Sequence, residues 1–96
     1  MKPSDALRTH RVAIRCIVES HRACNARVFG SVALGSDAEG SDLDLLIDPT
    51  AQTTLFDIGA IRHELTRWIG VPVDVLTPLA LPEKFRATVL AQAQAL

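Results

Sequence analysis

Gly30 and Ser31, followed after a ten-residue interval by Asp42-Leu43-Asp44, form the grouping in this sequence best suited to chemistry. A Gly-Ser pair entering a helical turn offers backbone N–H groups that a phosphate can approach closely, and it adds a hydroxyl. In a strand, side chains two residues apart point the same way, so Asp42 and Asp44 aim two carboxylates at one side. Such oxygen donors suit magnesium, which is usually held by one or two carboxylates together with triphosphate oxygens and water. A third acid, Asp74, stands among Val71, Val73 and Val75, where an unpaired charge is unfavourable unless it faces a polar site. If the strand carrying Asp74 neighbours the strand carrying Asp42 and Asp44, a three-carboxylate cluster results.

Positioning these groups requires alternating helices and strands. Ser4 is a good N-cap for a first helix running to about Arg22, with Leu7, Ile14, Ile17 and Val18 on its packing side. Arg8, Arg11, Arg15 and Arg22 fall on a stripe beside that side, either solvated or facing a partner. Ala26 to Phe29 reads as a strand delivered into the Gly30 turn, and residues 31–41 as a helical turn followed by a loop with Gly35 and Gly40 as hinges. Asp42 to Asp48 reads as a strand ended by Pro49. Asp42, Asp44 and Leu46 share one side of it, with Leu43, Leu45 and Ile47 on the other.

Thr54 caps a helix from Leu55 to Ile69, with Gly70 at its end and Leu55, Ile58, Arg62, Leu65 and Ile69 on one mainly apolar face. Val71 to Thr77 reads as a third strand that sets Asp74 opposite the valines. Pro82 opens a last helix carrying Phe85, Val89, Leu90 and Ala93. The order is α-β-α-β-α-β-α, without internal repeat or linker.

Length and composition narrow the class. The chain has 96 residues, 48% hydrophobic and 22% charged, which fits one domain over residues 1–96 with little room for an enclosed cavity. A large substrate, protein or nucleic acid, is then met by docking. Residues 1–27 carry six Lys/Arg against two Asp/Glu, and residues 28–96 carry four against nine, an asymmetry that suggests either a binding surface on the N-terminal part or a solvated helix face. Cys16 and Cys24 read as free thiols within one helical segment, without zinc spacing. No stretch is apolar enough to span a membrane and no signal region opens the chain, so a cytoplasmic location is expected.

The remaining chemistry-bearing residues have plainer readings. Asp48, next to Pro49, belongs to a turn. His10, His21 and His63 occupy ordinary helix positions without clustering, and Trp68 is a core or interface residue.

FGSVALG, its loop and SDLDLLID resemble the Gly-Ser, spacer, Asp-x-Asp motif of minimal nucleotidyltransferases of the DNA polymerase beta superfamily. WIGVPVDVLTPLALPEKFRATVLAQA is similar to the family region where a third aspartate, here Asp74, precedes a closing helix. Together the similarity covers residues 26–96. By chance alone, Gly, Ser and two Asp at this spacing would occur somewhere in the chain with a probability on the order of one in a thousand.

The resemblance implies an α+β nucleotidyltransferase fold, with a mixed sheet of three strands, or four, flanked by about four helices. Asp42, Asp44 and Asp74 would be catalytic and hold magnesium, two ions by family precedent, while Gly30 and Ser31 bind the nucleotide. ATP is the expected donor. Stand-alone chains of this size resemble antitoxins paired with HEPN ribonuclease toxins, which implies AMP transfer to a toxin tyrosine. In relatives the turn after Gly-Ser often carries arginine, whereas here Val32, Ala33 and Leu34 follow. Magnesium, or an arginine of the first helix or a partner, would then carry more of the triphosphate charge. Two other readings stand beside this one: a weak or inactive binding module that sequesters a toxin or nucleic acid, and a transferase acting on a small molecule or RNA end.

Overall fold

The chain runs α1 (Pro3–Ser20), β1 (Ala23–Phe29), α2 (Gly30–Leu34), β2 (Leu43–Pro49), α3 (Leu55–Ile69), β3 (Val73–Leu76), a 3-10 turn (Pro78–Ala80), α4 (Glu83–Gln92) and β4 (Gln94–Ala95). The structure is a computed structural model that describes residues 1–96. Its strands form one sheet in the order β3-β2-β1-β4, with β2 parallel to β3 and β1 antiparallel to both β2 and β4. This is the expected mixed α+β architecture, with four strands. β4 is only two residues long and pairs with Arg27 and Val28, too short to leave a periodic signal.

β2 is built by its alternation. Leu43, Leu45 and Ile47 are fully buried in the main core with Ile14 and Val18 of α1 and Ile61, Leu65 and Ile69 of α3. Leu46 is equally buried but lies outside that core, on the face it shares with Asp44. Each such side chain contributes about 1.5–3 kcal/mol by burial. The parallel β2-β3 pair needs a crossover, and α3 supplies it. Local signals fix the ends of α3: the Thr54 hydroxyl accepts from the Asp57 N–H at 3.2 Å, the Asp57 carboxylate accepts from the Thr54 N–H at 2.8 Å, and Gly70 adopts φ 72.

Several boundaries and faces differ from the sequence reading. α1 begins at Pro3, with Lys2 rather than Ser4 at its N-cap position, and the Ser4 N–H donates instead to Asp37. α1 ends at Ser20, so Arg22 lies beyond it at φ 66 and pairs with Asp57 at 3.1 Å. The exposed stripe therefore keeps Arg8, Arg11 and Arg15. β1 starts at Ala23, which puts Cys24 on a strand and only Cys16 on the helix; both thiols are free and exposed. A register irregularity between Cys24 and Arg27, with Asn25 at φ 53, hides the first half of β1 from a period-two reading.

β2 covers Leu43–Pro49, so Asp42 immediately precedes it, and β3 is shorter than expected. The buried side of α3 is turned toward Asp57 and Ile61, because α1 packs there; Leu55 is left 85% exposed. α4 buries no residue and Phe85 remains exposed, so its expected packing face is not used. It is held at its start by Arg86, which donates to the carbonyls of Pro78 at 2.9 Å and Leu81 at 3.0 Å. Trp68 is exposed and so is not a core residue. Asp48 sits in β2 and not in a turn, paired with Arg27 and accepting from Asn25 at 2.8 Å. No helix is long and apolar enough to cross a membrane.

Candidate active site

β1 delivers Phe29 opposite Asp44 of β2, and the parallel register sets Asp44 directly beside Asp74 of β3. Gly30 follows Phe29 at φ 70, a conformation that glycine adopts without steric cost. The Asp44 carboxylate fills the space where a side chain on Gly30 would stand: a Cβ there would meet Oδ2 in hard overlap and lie 3.2 Å from Cγ. The turn and the acid are thus fitted to each other.

The Ser31 backbone carbonyl accepts from the Ser36 N–H at 2.9 Å, which closes the helical turn, while the Ser31 hydroxyl takes part in no hydrogen bond within the protein. It is free for a ligand. Asp44 and Asp74 are half-buried, and Asp42 is exposed at the mouth of the strand. Burial pushes the Asp44 carboxyl above its usual range, and the charges of Asp74 and then Asp42 push it further. All three carboxylates therefore share one field.

The structure brings Gly30, Ser31, Asp42, Asp44 and Asp74 to one end of the sheet. It does not draw three acids into a preformed metal cage: no group of three or more His, Cys, Asp or Glu is gathered closely enough to hold an ion. The expected three-carboxylate cluster is an open row, as mutual repulsion of like charges favours. The donor set still fits magnesium, since all three are hard oxygen donors, and a dication would relieve the repulsion that weakens Asp44 as an acid. Magnesium uses few protein ligands, so an open row is compatible with it.

Two residues near this end carried no functional reading in the sequence. Arg62 Nε donates to the Val73 carbonyl at 3.3 Å, which places a cation beside the residue preceding Asp74. Asp37 accepts from Ser4 across the loop that leads to Asp42. A pairing across 33 residues leaves no local sequence signal. The surface groove of the molecule, about 420 Å3, lies elsewhere, on the outer side of α3 between His63, Glu64, Arg67 and Trp68.

A family model described as a nucleotidyltransferase domain matches residues 14–95. The protein named "Putative protein adenylyltransferase MJ0435" from Methanocaldococcus jannaschii is 36% identical over 61 residues, covering 64% of this chain and 66% of that protein. The matched segment is thus slightly less than two thirds of that relative. A solved structure described as "Structure of putative minimal nucleotidyltransferase" superposes with a TM-score of 0.82 at 36% identity, over 97% of this chain and 93% of that one. A solved toxin-antitoxin with AMP-PNP superposes with a TM-score of 0.70 at 15% identity, over 83% and 66%, a likeness of fold.

Proposed function

The chain belongs to the nucleotidyltransferase domain family, and from that membership we propose that it is a magnesium-dependent transferase that moves AMP from ATP to a protein hydroxyl. The acceptor we assign is a tyrosine of a HEPN ribonuclease toxin, for which this protein is the antitoxin, with residues 1–96 acting as one domain in the cytoplasm. The observation that carries the reading is the register of Asp44 beside Asp74, with the Gly30 turn closed against Asp44.

Asp42, Asp44 and Asp74 would hold magnesium, which when bound neutralises triphosphate charge and polarises the α-phosphorus. The Gly30–Ser31 backbone and the free Ser31 hydroxyl seat the outer phosphates. Asp74, half-buried beside Asp44, takes the proton from the attacking hydroxyl. An oxygen–phosphorus bond forms to the acceptor, the bond between the α-phosphorus and the bridging oxygen breaks, and pyrophosphate leaves. The AMP left on the toxin places an anion where its RNA substrate would bind. Similarity to a solved toxin-antitoxin supports the partner class.

Incubation of the protein with α-labelled ATP, magnesium and the product of the adjacent reading frame should label a tyrosine of that product and inhibit its ribonuclease activity. Absence of label, with inhibition by stoichiometric binding alone, would replace catalysis by sequestration. That second reading has one structural observation in its favour: the residues after Ser31 are apolar, with Leu34 60% exposed where a cation would help bind triphosphate.

A further inference from the structure

We propose that Asp37 is a positioning residue for Asp42, tying the loop between the Gly30–Ser31 turn and the carboxylate row to the first turn of α1. The inference deepens the site reading above and rests on it.

The loop between α2 and β2 is folded in two pieces. At its start the Ser36 N–H donates to the Ser31 carbonyl at 2.9 Å. At its end the Ala38 N–H donates to Ser41 Oγ at 2.9 Å, while the Ser41 N–H returns to the Ala38 carbonyl at 3.0 Å. Asp42 comes next and makes no hydrogen bond of its own, and the Leu43 N–H then joins the Pro72 carbonyl at 2.8 Å. The position of Asp42 is therefore inherited from the Ala38–Ser41 turn on one side and the start of β2 on the other.

That turn has little holding it to the body of the protein. Residues 37–41 reach outside themselves through two polar contacts, one to Met1 just before α1 and one to Ser4 in its first turn. One joins the Met1 amine to Glu39 at 2.8 Å, with both groups more than half exposed; such a pair contributes little in water. The other is the half-buried Asp37, whose Oδ2 accepts from the Ser4 N–H at 2.9 Å.

The receiving end is anchored: Ala6 and Leu7, on the near side of a kink at His10, are buried in the core, as are Ile14 and Val18 beyond it. Its N-cap residue, Lys2, supplies no side-chain acceptor, Pro3 has no N–H, and the Asp5 and Ala6 N–H groups donate to the Lys2 carbonyl, so the Ser4 N–H is the one donor of the first turn left for a carboxylate from elsewhere. The Ser4 N–H holds the Asp37 carboxyl below its usual range, keeping it charged for this role. The buried first turns of α1 thus serve as an anchor, and Asp37 ties to them the turn that leads to Asp42.

A simple helix cap would stabilise α1 and leave the loop untouched, and amide hydrogen exchange separates the two roles. In Asp37→Ala, the Ala38 and Ser41 amides should exchange faster, and kcat/KM for ATP should fall about tenfold as the carboxylate row loses its alignment. Asp37→Asn keeps an acceptor for the Ser4 N–H and should restore most of both. Broadening of the Asp42 amide signal by Mn2+, measured without ATP, should weaken in Asp37→Ala and recover in Asp37→Asn. Faster exchange confined to α1, or a loosened loop with unchanged Mn2+ response, would overturn the proposal. If the parent transfers no nucleotide, the functional reading fails, while the exchange and Mn2+ measurements still decide the role of Asp37.

Discussion

The Asp44 carboxylate occupies the volume that any side chain at Gly30 would need. The turn proposed to seat phosphate and the proposed metal ligand are therefore one packed unit, although 14 positions separate them in the chain.

Gly30→Ala should consequently disturb both. An L-residue at φ 70 is strained, and the new methyl would drive the Asp44 carboxylate out of line. We expect a loss of about 1–3 kcal/mol in stability, together with loss of nucleotidyl transfer. Adding Asp44→Ala should recover the steric part of the stability loss, read by denaturant unfolding, and none of the activity.

Asp44→Asn should stabilise the protein at neutral pH in chelator while abolishing transfer. The folded state raises the Asp44 pKa, so this group's contribution is fully present below the unfolded pKa and is lost as pH rises through the folded one. Removing the charge restores it, by about 0.5–1 kcal/mol because Asp44 is only half-buried and its field is screened. Unfolding curves of parent and variant should converge as pH falls below the ordinary aspartate range. Magnesium should narrow the neutral-pH gap, since the parent gains more from binding it.

Ser31→Ala removes a hydroxyl that the fold does not use. Its melting temperature should stay at the parental value while kcat/KM for ATP falls by the equivalent of about 1–3 kcal/mol. Parental kinetics would show that the hydroxyl does not contact the triphosphate.

Arg11 and Arg15 are exposed on α1 without an ion-pair partner. Changing both to Glu should slow association with an acidic partner surface at low salt and flatten its salt dependence, measured by stopped-flow mixing with the proposed toxin partner. Equal rates for parent and variant at both low and high salt would leave these arginines as a solvated face.

Much of this protein is written in signals that act within one element. Alternation through Leu43, Leu45 and Ile47 fixes which side of β2 carries Asp44, and it does so wherever the strand is placed. Thr54, Asp57 and Gly70 set the ends of α3 through bonds spanning a few residues. Gly30 supplies a positive φ that its own backbone permits. The family motif is legible for the same reason, since its spacing is linear.

Tertiary structure decided the relations between elements. Asp74 stands beside Asp44 because β2 and β3 pair in parallel in one register, a choice made by the crossover and the shared core and by no local pattern. α3 buries Asp57 and Ile61 and leaves Leu55 exposed, and Arg22, past the end of α1, leaves the arginine stripe and pairs with Asp57. Asp37 caps a helix that starts more than thirty residues earlier. Periodicity reports which side of an element is apolar; it carries no record of which neighbour covers that side, or of which distant carboxylate completes a helix end, because those outcomes depend on burial summed over the whole chain.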